Sequence, residues 1–348
     1  MSRNFAALRG LAILIVVLHH SIRLSVAAAQ DAGFHGPAGW ERLFLRILLQ
    51  VGVFAVPAFL FVSGSFWAYA AQGESPKLSY RLVWTGLRRL LWPYAVWSLL
   101  FYVTLYFCSG SAYSIAGYLK NLVVGFPYHF VPLLAFCYAV SPILVSVSRR
   151  LGWVIIGGIV MGQLVLINIV VPGSLGLRFP DWMEVLSPPI LRNTLADWGA
   201  FFPLGLVYSL RARQAGPVLA RFKWVSAAAT VGLFVLSVLE AVNPVRVRLV
   251  GFLAALCFMF FLPCIRREAI PLGQSLEKVG TRSYGLYLSS FVVLLVVLTV
   301  AKAVMPGVLR YPTLCLPFVL ALAIAIPLVL MSNLQRTPAR RLYPFVFG

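Results

Sequence analysis

Residues 5–30 read FAALRGLAILIVVLHHSIRLSVAAAQ, an apolar run longer than the roughly 20 residues a helix needs to cross a bilayer. Arg9, His19, His20 and Arg23 interrupt it. The run lacks the alternating polar face of a barrel strand. It reads as a transmembrane helix carrying ionisable groups at depths where hydrocarbon normally excludes them. The rest of the chain fits this reading. Of 348 residues, 61% are hydrophobic and 11% charged, with mean hydropathy +0.91, whereas soluble domains carry about 25% charged residues. A water-soluble fold is excluded, and the expected fold class is an all-α polytopic membrane protein of about ten transmembrane helices.

Apolar windows between polar breaks place the spans near residues 5–29, 43–71, 90–109, 129–147, 151–171, 194–210, 222–242, 247–265, 283–303 and 312–332. No connection offers room for a soluble domain, so the chain is read as one transmembrane domain over 1–348. The net charge of +20 could signal nucleic acid in a soluble chain. In a membrane protein it follows from basic residues holding loops in the cytoplasm, and no nucleic-acid partner is expected. With the N-terminus inside, the cytoplasmic segments hold Arg3, Arg9, Lys77, Arg81, Arg88, Arg89, Arg149, Arg150, Arg211, Arg213, Arg221, Lys223, Arg266, Arg267, Lys278, Arg282, Arg336, Arg340 and Arg341. The outer segments hold only Arg42, Lys120, Arg178, Arg192, Arg246, Arg248, Lys302 and Arg310. This asymmetry predicts both termini in the cytoplasm, and the expected location is multi-pass in a bacterial inner membrane. Arg3 and the Ala27–Ala29 triplet imitate a secretory signal; His19, His20 and Arg23 argue against cleavage. The five cysteines form no C-x-x-C pair, so neither a disulfide framework nor a metal site is expected.

Arg9 and His20 are eleven residues apart, about 20° past three full helical turns, so they share a face, separated by about 16 Å along the axis. Arg23 continues this stripe outward, about 40° to the other side of Arg9, while His19 lies about 80° from it, toward a neighbouring helix or lipid. One arginine can snorkel and one histidine can bond a neighbouring helix; an arginine and a histidine aligned on one stripe call for a shared polar cavity.

At these residues the sequence resembles a family. Arg-x10-His in LRGLAILIVVLHHS (8–21) is similar to the first-helix signature of the integral-membrane acyltransferase family 3, whose members carry acyl groups from acyl-CoA to carbohydrates and other acceptors. PAFLFVSGSFW (57–67), GLRRLLWPYAVWSLL (86–100), YHFVPLLAFCYAVSPIL (128–144), FFPLGLVY (201–208) and SYGLYLSSF (283–291) resemble later family segments, in order. Two positions depart from the pattern. The R-x-x-R motif before the third helix has Gly86 and Arg89, with Arg88 beside them, and Ser290 stands where the family often has a histidine.

The resemblance implies an acyltransferase with acyl-CoA, acetyl-CoA above all, as co-substrate, and a cell-envelope or exported carbohydrate or glycolipid as acceptor. It has membrane lipids around it. His20 is the expected general base, since a neutral imidazole can take the proton of an attacking hydroxyl. Arg9 orients the donor or neutralises its charge. Lys77, Arg81, Arg88 and Arg89 form a basic loop suited to CoA phosphates, although retention of the loop in the cytoplasm explains the same charges. His129, Asp197, Arg23 and Ser63 are candidates for acceptor contact, the serine equally for close helix packing. Cys137 and Ser290 lack a base visible in the sequence, which favours direct transfer over an acyl-enzyme. The competing reading is a transporter or flippase of lipid-linked sugars, which would favour repeated halves with interrupted spans at matching positions; the sequence contains none. A scaffold that has lost catalysis is a third.

The topology is checked with single cysteines in a cysteine-free variant. Labelling by an impermeant thiol reagent from outside is expected at position 36 and not at position 333; labelling at 333 contradicts it.

Overall fold

A computed structural model of the chain describes residues 3–71, 80–151, 153–239, 242–265 and 267–348; Lys77 lies outside them. The described residues are helical and contain no strand. The helices are α1 (Arg3–Asp31), α2 (Gly39–Val51), α3 (Ala55–Ala71), α4 (Tyr80–Ser109), α5 (Ile115–Val124), α6 (Phe130–Leu151), α7 (Val154–Val170), α8 (Arg192–Trp198), α9 (Phe201–Leu210), α10 (Ala212–Val238), α11 (Val247–Phe261), α12 (Gly273–Thr281), α13 (Ser283–Val304), α14 (Pro312–Arg336) and α15 (Tyr343–Val346). Among the described residues, eight segments are long and apolar enough to cross a membrane. The expected fifth and sixth spans are shorter. Helix α7 has 17 residues, and residues 192–210 form two helices, α8 and α9, that meet at Gly199–Ala200. The protein is therefore an all-α polytopic membrane protein.

Helix α4 corrects one detail. Residues 77–89 read as a basic loop because Arg81, Arg88 and Arg89 depress the local hydropathy, yet the helix begins at Tyr80. Val83 and Leu90 are buried, while all three arginines are exposed. Arg81 and Arg88, seven residues apart, share one face. The basic groups are thus fixed on the first turns of a long helix.

Helix α1 is central, packing on α3, α12, α13 and α14. Glycines let the bundle close. A Cβ on Gly205 would lie 1.9 Å from the Phe61 carbonyl oxygen, and one on Gly64 would lie 2.1 Å from that of Phe202, so α3 and α9 cross backbone to backbone. Such small-residue crossings bring membrane helices together where no hydrophobic force drives them. Gly10 and Gly280 seat α12 on the first turns of α1 in the same way, 2.0 Å from the Leu276 and 2.1 Å from the Ala6 carbonyl oxygens.

The ends of the bundle are pinned by polar contacts. Arg282 donates to the Ser332 hydroxyl at 2.8 Å and to Gln335 at 3.1 Å, tying the start of α13 to the end of α14. Arg211 donates to the Ser148 carbonyl at 3.1 Å. At the other end, the Glu41 carboxylate accepts from the Thr313 backbone N–H and hydroxyl, joining α2 to the start of α14.

A methyl group at the α3–α9 crossing must push two backbones apart. Gly205→Ala should sharply reduce the folded, monodisperse fraction in detergent, measured by size-exclusion chromatography. Gly232→Ala on α10, where a Cβ meets nothing within 4 Å, should leave that fraction unchanged; equal behaviour of the two variants contradicts this account.

Candidate active site

Along α1, residues 9, 13, 16, 20 and 23 follow the i, i+4, i+7 spacing of one helix stripe. Four of them, Ile13, Val16, His20 and Arg23, line a cavity of about 640 Å³. The walls come from α1, the α2–α3 junction, α6, α8, α11 and α13. Its inner part is apolar, built from Ile13, Val16, Val56, Phe59, Phe252 and Ala255, whereas its imidazole and charged groups are those of His19, His20, Arg23, His129, Asp197 and Arg248. Three of the four histidines in the chain therefore border one space.

The His20 ring stands edge-on to Phe291, with centroids 4.8 Å apart and planes at 65°. This ring fixes one side of the imidazole. His19 lies 5.9 Å from His20 at nearly a right angle. As its angle on the helix predicted, His19 meets a neighbouring element: a Cβ on Gly52 would lie 2.6 Å from His19 Nδ1. It nevertheless borders the cavity too, since the wide lumen reaches past the stripe. His129 is the exposed residue before α6, 6.0 Å from the Phe126 ring. Tyr94 and Tyr102 of α4 donate to the Leu122 and Phe126 carbonyls at 2.5 and 2.6 Å, and Tyr128 donates to that of Leu288 at 2.8 Å. These phenols clamp the segment that carries His129.

Arg9 lies inward of the cavity. Its guanidinium carbon is 4.9 Å from the centroid of the Phe59 ring, and its Nε is buried without a hydrogen-bond partner. Phe59 also lines the cavity, so the ring that meets the arginine borders the space that holds His20. A cation over a ring face is attracted by the ring quadrupole, but a buried N–H without an acceptor is costly.

Asp197 sits at the end of α8 and accepts from Arg248 Nε at 2.8 Å. Arg192, five residues before Asp197, pairs instead with Glu184 at 3.3 Å. Gln163, buried on α7, donates to the Leu195 and Ala196 carbonyls at 2.9 and 2.5 Å and so supports the backbone that presents Asp197. Asn168 holds the turn after α7: its carbonyl oxygen accepts from the Leu175 N–H at 3.0 Å and its amide donates to Leu177 at 3.1 Å.

The remaining predicted residues lie elsewhere. Ser63 is buried on α3 beside the crossing with α9 and does not border the cavity. Arg81, Arg88 and Arg89 are on the exposed face of α4. Cys137 and Ser290 are buried and do not line the cavity, and Ser290 donates to the Tyr287 carbonyl at 3.2 Å. No group of three potential metal ligands occurs among the described residues. Arg248, Gln163 and Gly52 were missed in the sequence. Arg248 had a signal: with Gly251, Phe252 and Ala255 it forms a helix stripe, as Arg9 and His20 do, but as the second basic residue of Arg246-x-Arg248 it was counted as a loop charge.

Residues 3–331 match the model of a family described as an acyltransferase domain. Neither a curated protein nor a solved structure matches the chain.

Proposed function

The chain belongs to the acyltransferase-domain family, matched over residues 3–331, and on that premise we propose that it acetylates a hydroxyl of a cell-envelope or exported carbohydrate from cytoplasmic acetyl-CoA. The observation that carries this reading is the stripe on α1, which runs from Arg9 to a histidine bordering a large cavity of mixed polarity. CoA is confined to the cytoplasm by its phosphates, whereas an exported acceptor is on the other side. For the two to meet at His20, the donor must enter from the cytoplasmic side and the acceptor from the other. The distribution of basic residues favours cytoplasmic termini in a bacterial inner membrane. That orientation puts Arg9 on the donor side, and His129, Asp197 and Arg23 on the acceptor side.

His20 acts as the general base. As the acceptor oxygen bonds to the thioester carbonyl carbon, its proton passes to the imidazole. Collapse of the tetrahedral intermediate breaks the carbon–sulfur bond, and the departing thiolate takes that proton back. The products are the ester and free CoA thiol, with His20 neutral again. Arg9, with an unpartnered N–H, supplies positive charge and hydrogen bonds to the donor. Arg81, Arg88 and Arg89 on α4, with Lys77, offer guanidinium and ammonium groups to the CoA phosphates. Cys137 and Ser290 are buried and neither lines the cavity, which supports direct transfer over an acyl-enzyme on either.

The test is transfer of radiolabelled acetyl from acetyl-CoA to a glycan panel by purified protein. His20→Ala should lose about 10²–10⁴-fold in rate and keep its melting temperature, while His19→Ala, packed on Gly52, should retain most activity. Arg9→Ala should raise the KM for acetyl-CoA. Undiminished transfer by His20→Ala overturns the mechanism, and unchanged donor binding by Arg9→Ala overturns the donor assignment.

A further inference from the structure

Charge balance at the outer part of the cavity bears on the chemistry of the acceptor. Two guanidinium groups, Arg23 and Arg248, line it, against a single carboxylate, Asp197. That carboxylate is engaged by Arg248 Nε at 2.8 Å. Arg248 Nη2 reaches Asn193 at 3.4 Å, whereas its Nη1 is buried without any hydrogen-bond partner. No carboxylate among the described residues pairs with Arg23. The lining therefore holds one more guanidinium than carboxylate, and one buried guanidinium N–H without an acceptor. The Arg248 N–H lies beside apolar walls that weaken screening by water, whereas Arg23 is an exposed residue. An uncharged sugar hydroxyl could fill one such vacancy, but only an oxyanion answers both the charge and the free N–H.

We propose that Arg23 and Arg248 form an oxyanion subsite and that the acceptor is an anionic glycan, carrying a carboxylate or phosphate close to the hydroxyl that is modified. The inference rests on the acyltransferase reading. Asp197 orients Arg248 by holding its Nε, leaving Nη1 for the ligand. Arg23, one helical turn beyond His20 on the same stripe, sets the distance between the bound anion and the hydroxyl facing the base. Carboxylate and phosphate share this recognition chemistry: a carboxylate would come from an acidic sugar, a phosphate from the linkage of a sugar to its carrier.

The experiment is isothermal titration of the purified full-length protein in neutral detergent, without acyl donor. Three probes are used: an oligomer of glucuronic acid, the neutral glucose oligomer of equal length, and glucose 1-phosphate. The wild type should bind at least one anionic probe about 10- to 100-fold more tightly than the neutral oligomer, as loss of a charge-assisted hydrogen bond implies. The tighter anion identifies the source. Arg23→Gln and Arg248→Gln should lose that preference, whereas Arg178→Gln, an exposed charge that does not line the cavity, should keep it. If Arg248→Gln does not fold, Arg23→Gln at its exposed position decides alone. Equal binding of neutral and anionic probes, no binding of any probe, or a preference that survives Arg23→Gln overturns the proposal. Because no donor is present, such a result leaves acyl transfer standing; arginine-dependent anion binding without any transfer would remove the enzyme reading instead.

Discussion

The structure depends on where α1 puts its ionisable side chains. Hydrocarbon excludes a guanidinium and two imidazoles, so these groups must turn toward protein or an enclosed polar space. The stripe of Arg9, Ile13, Val16, His20 and Arg23 does this along one face. The helix is surrounded by α3, α12, α13 and α14, and the face between them opens on the cavity. Glycine crossings set how near the neighbours come. Gly10 and Gly280 hold α12 on the inner turns, and Gly52 gives His19 its place against the α2–α3 junction.

Polar side chains without a part in the chemistry account for much of the site's shape. Three tyrosines on backbone carbonyls clamp the segment before His129. Gln163 takes the carbonyls of Leu195 and Ala196 where α8 gives way to α9, and that break brings Asp197 to the cavity wall. In hydrocarbon such carbonyls cannot turn to water, so these bonds fix the backbone rather than decorate it.

Much of this was legible in the sequence. Composition alone excludes a soluble fold, and helical phase alone puts Arg9, His20 and Arg23 on one face. His129 and Asp197 were visible as polar residues at span ends, but their convergence depends on tertiary packing, which no local pattern encodes. The start of α4 was hidden because hydropathy treats exposed arginines as a loop, whereas a helix tolerates them on an outward face. Gln163 was hidden for the opposite reason: a single amide in an apolar span has no sequence pattern that separates a backbone clamp from packing. For Ser63 the sequence left acceptor contact and helix packing equally open, and the structure puts Ser63-Gly64-Ser65 at the α3–α9 crossing, where Ser65 donates to the Phe61 and Gly205 carbonyls.

The central claim is that donor and acceptor meet at His20 from opposite faces of the membrane. Reconstitution in sealed liposomes tests it directly, with the glycan acceptor and labelled acetyl-CoA held in separate compartments and protein orientation measured beforehand. The account predicts labelled glycan when acetyl-CoA faces the chain termini and the acceptor lies across the bilayer. Labelling only when both substrates share one compartment would contradict it.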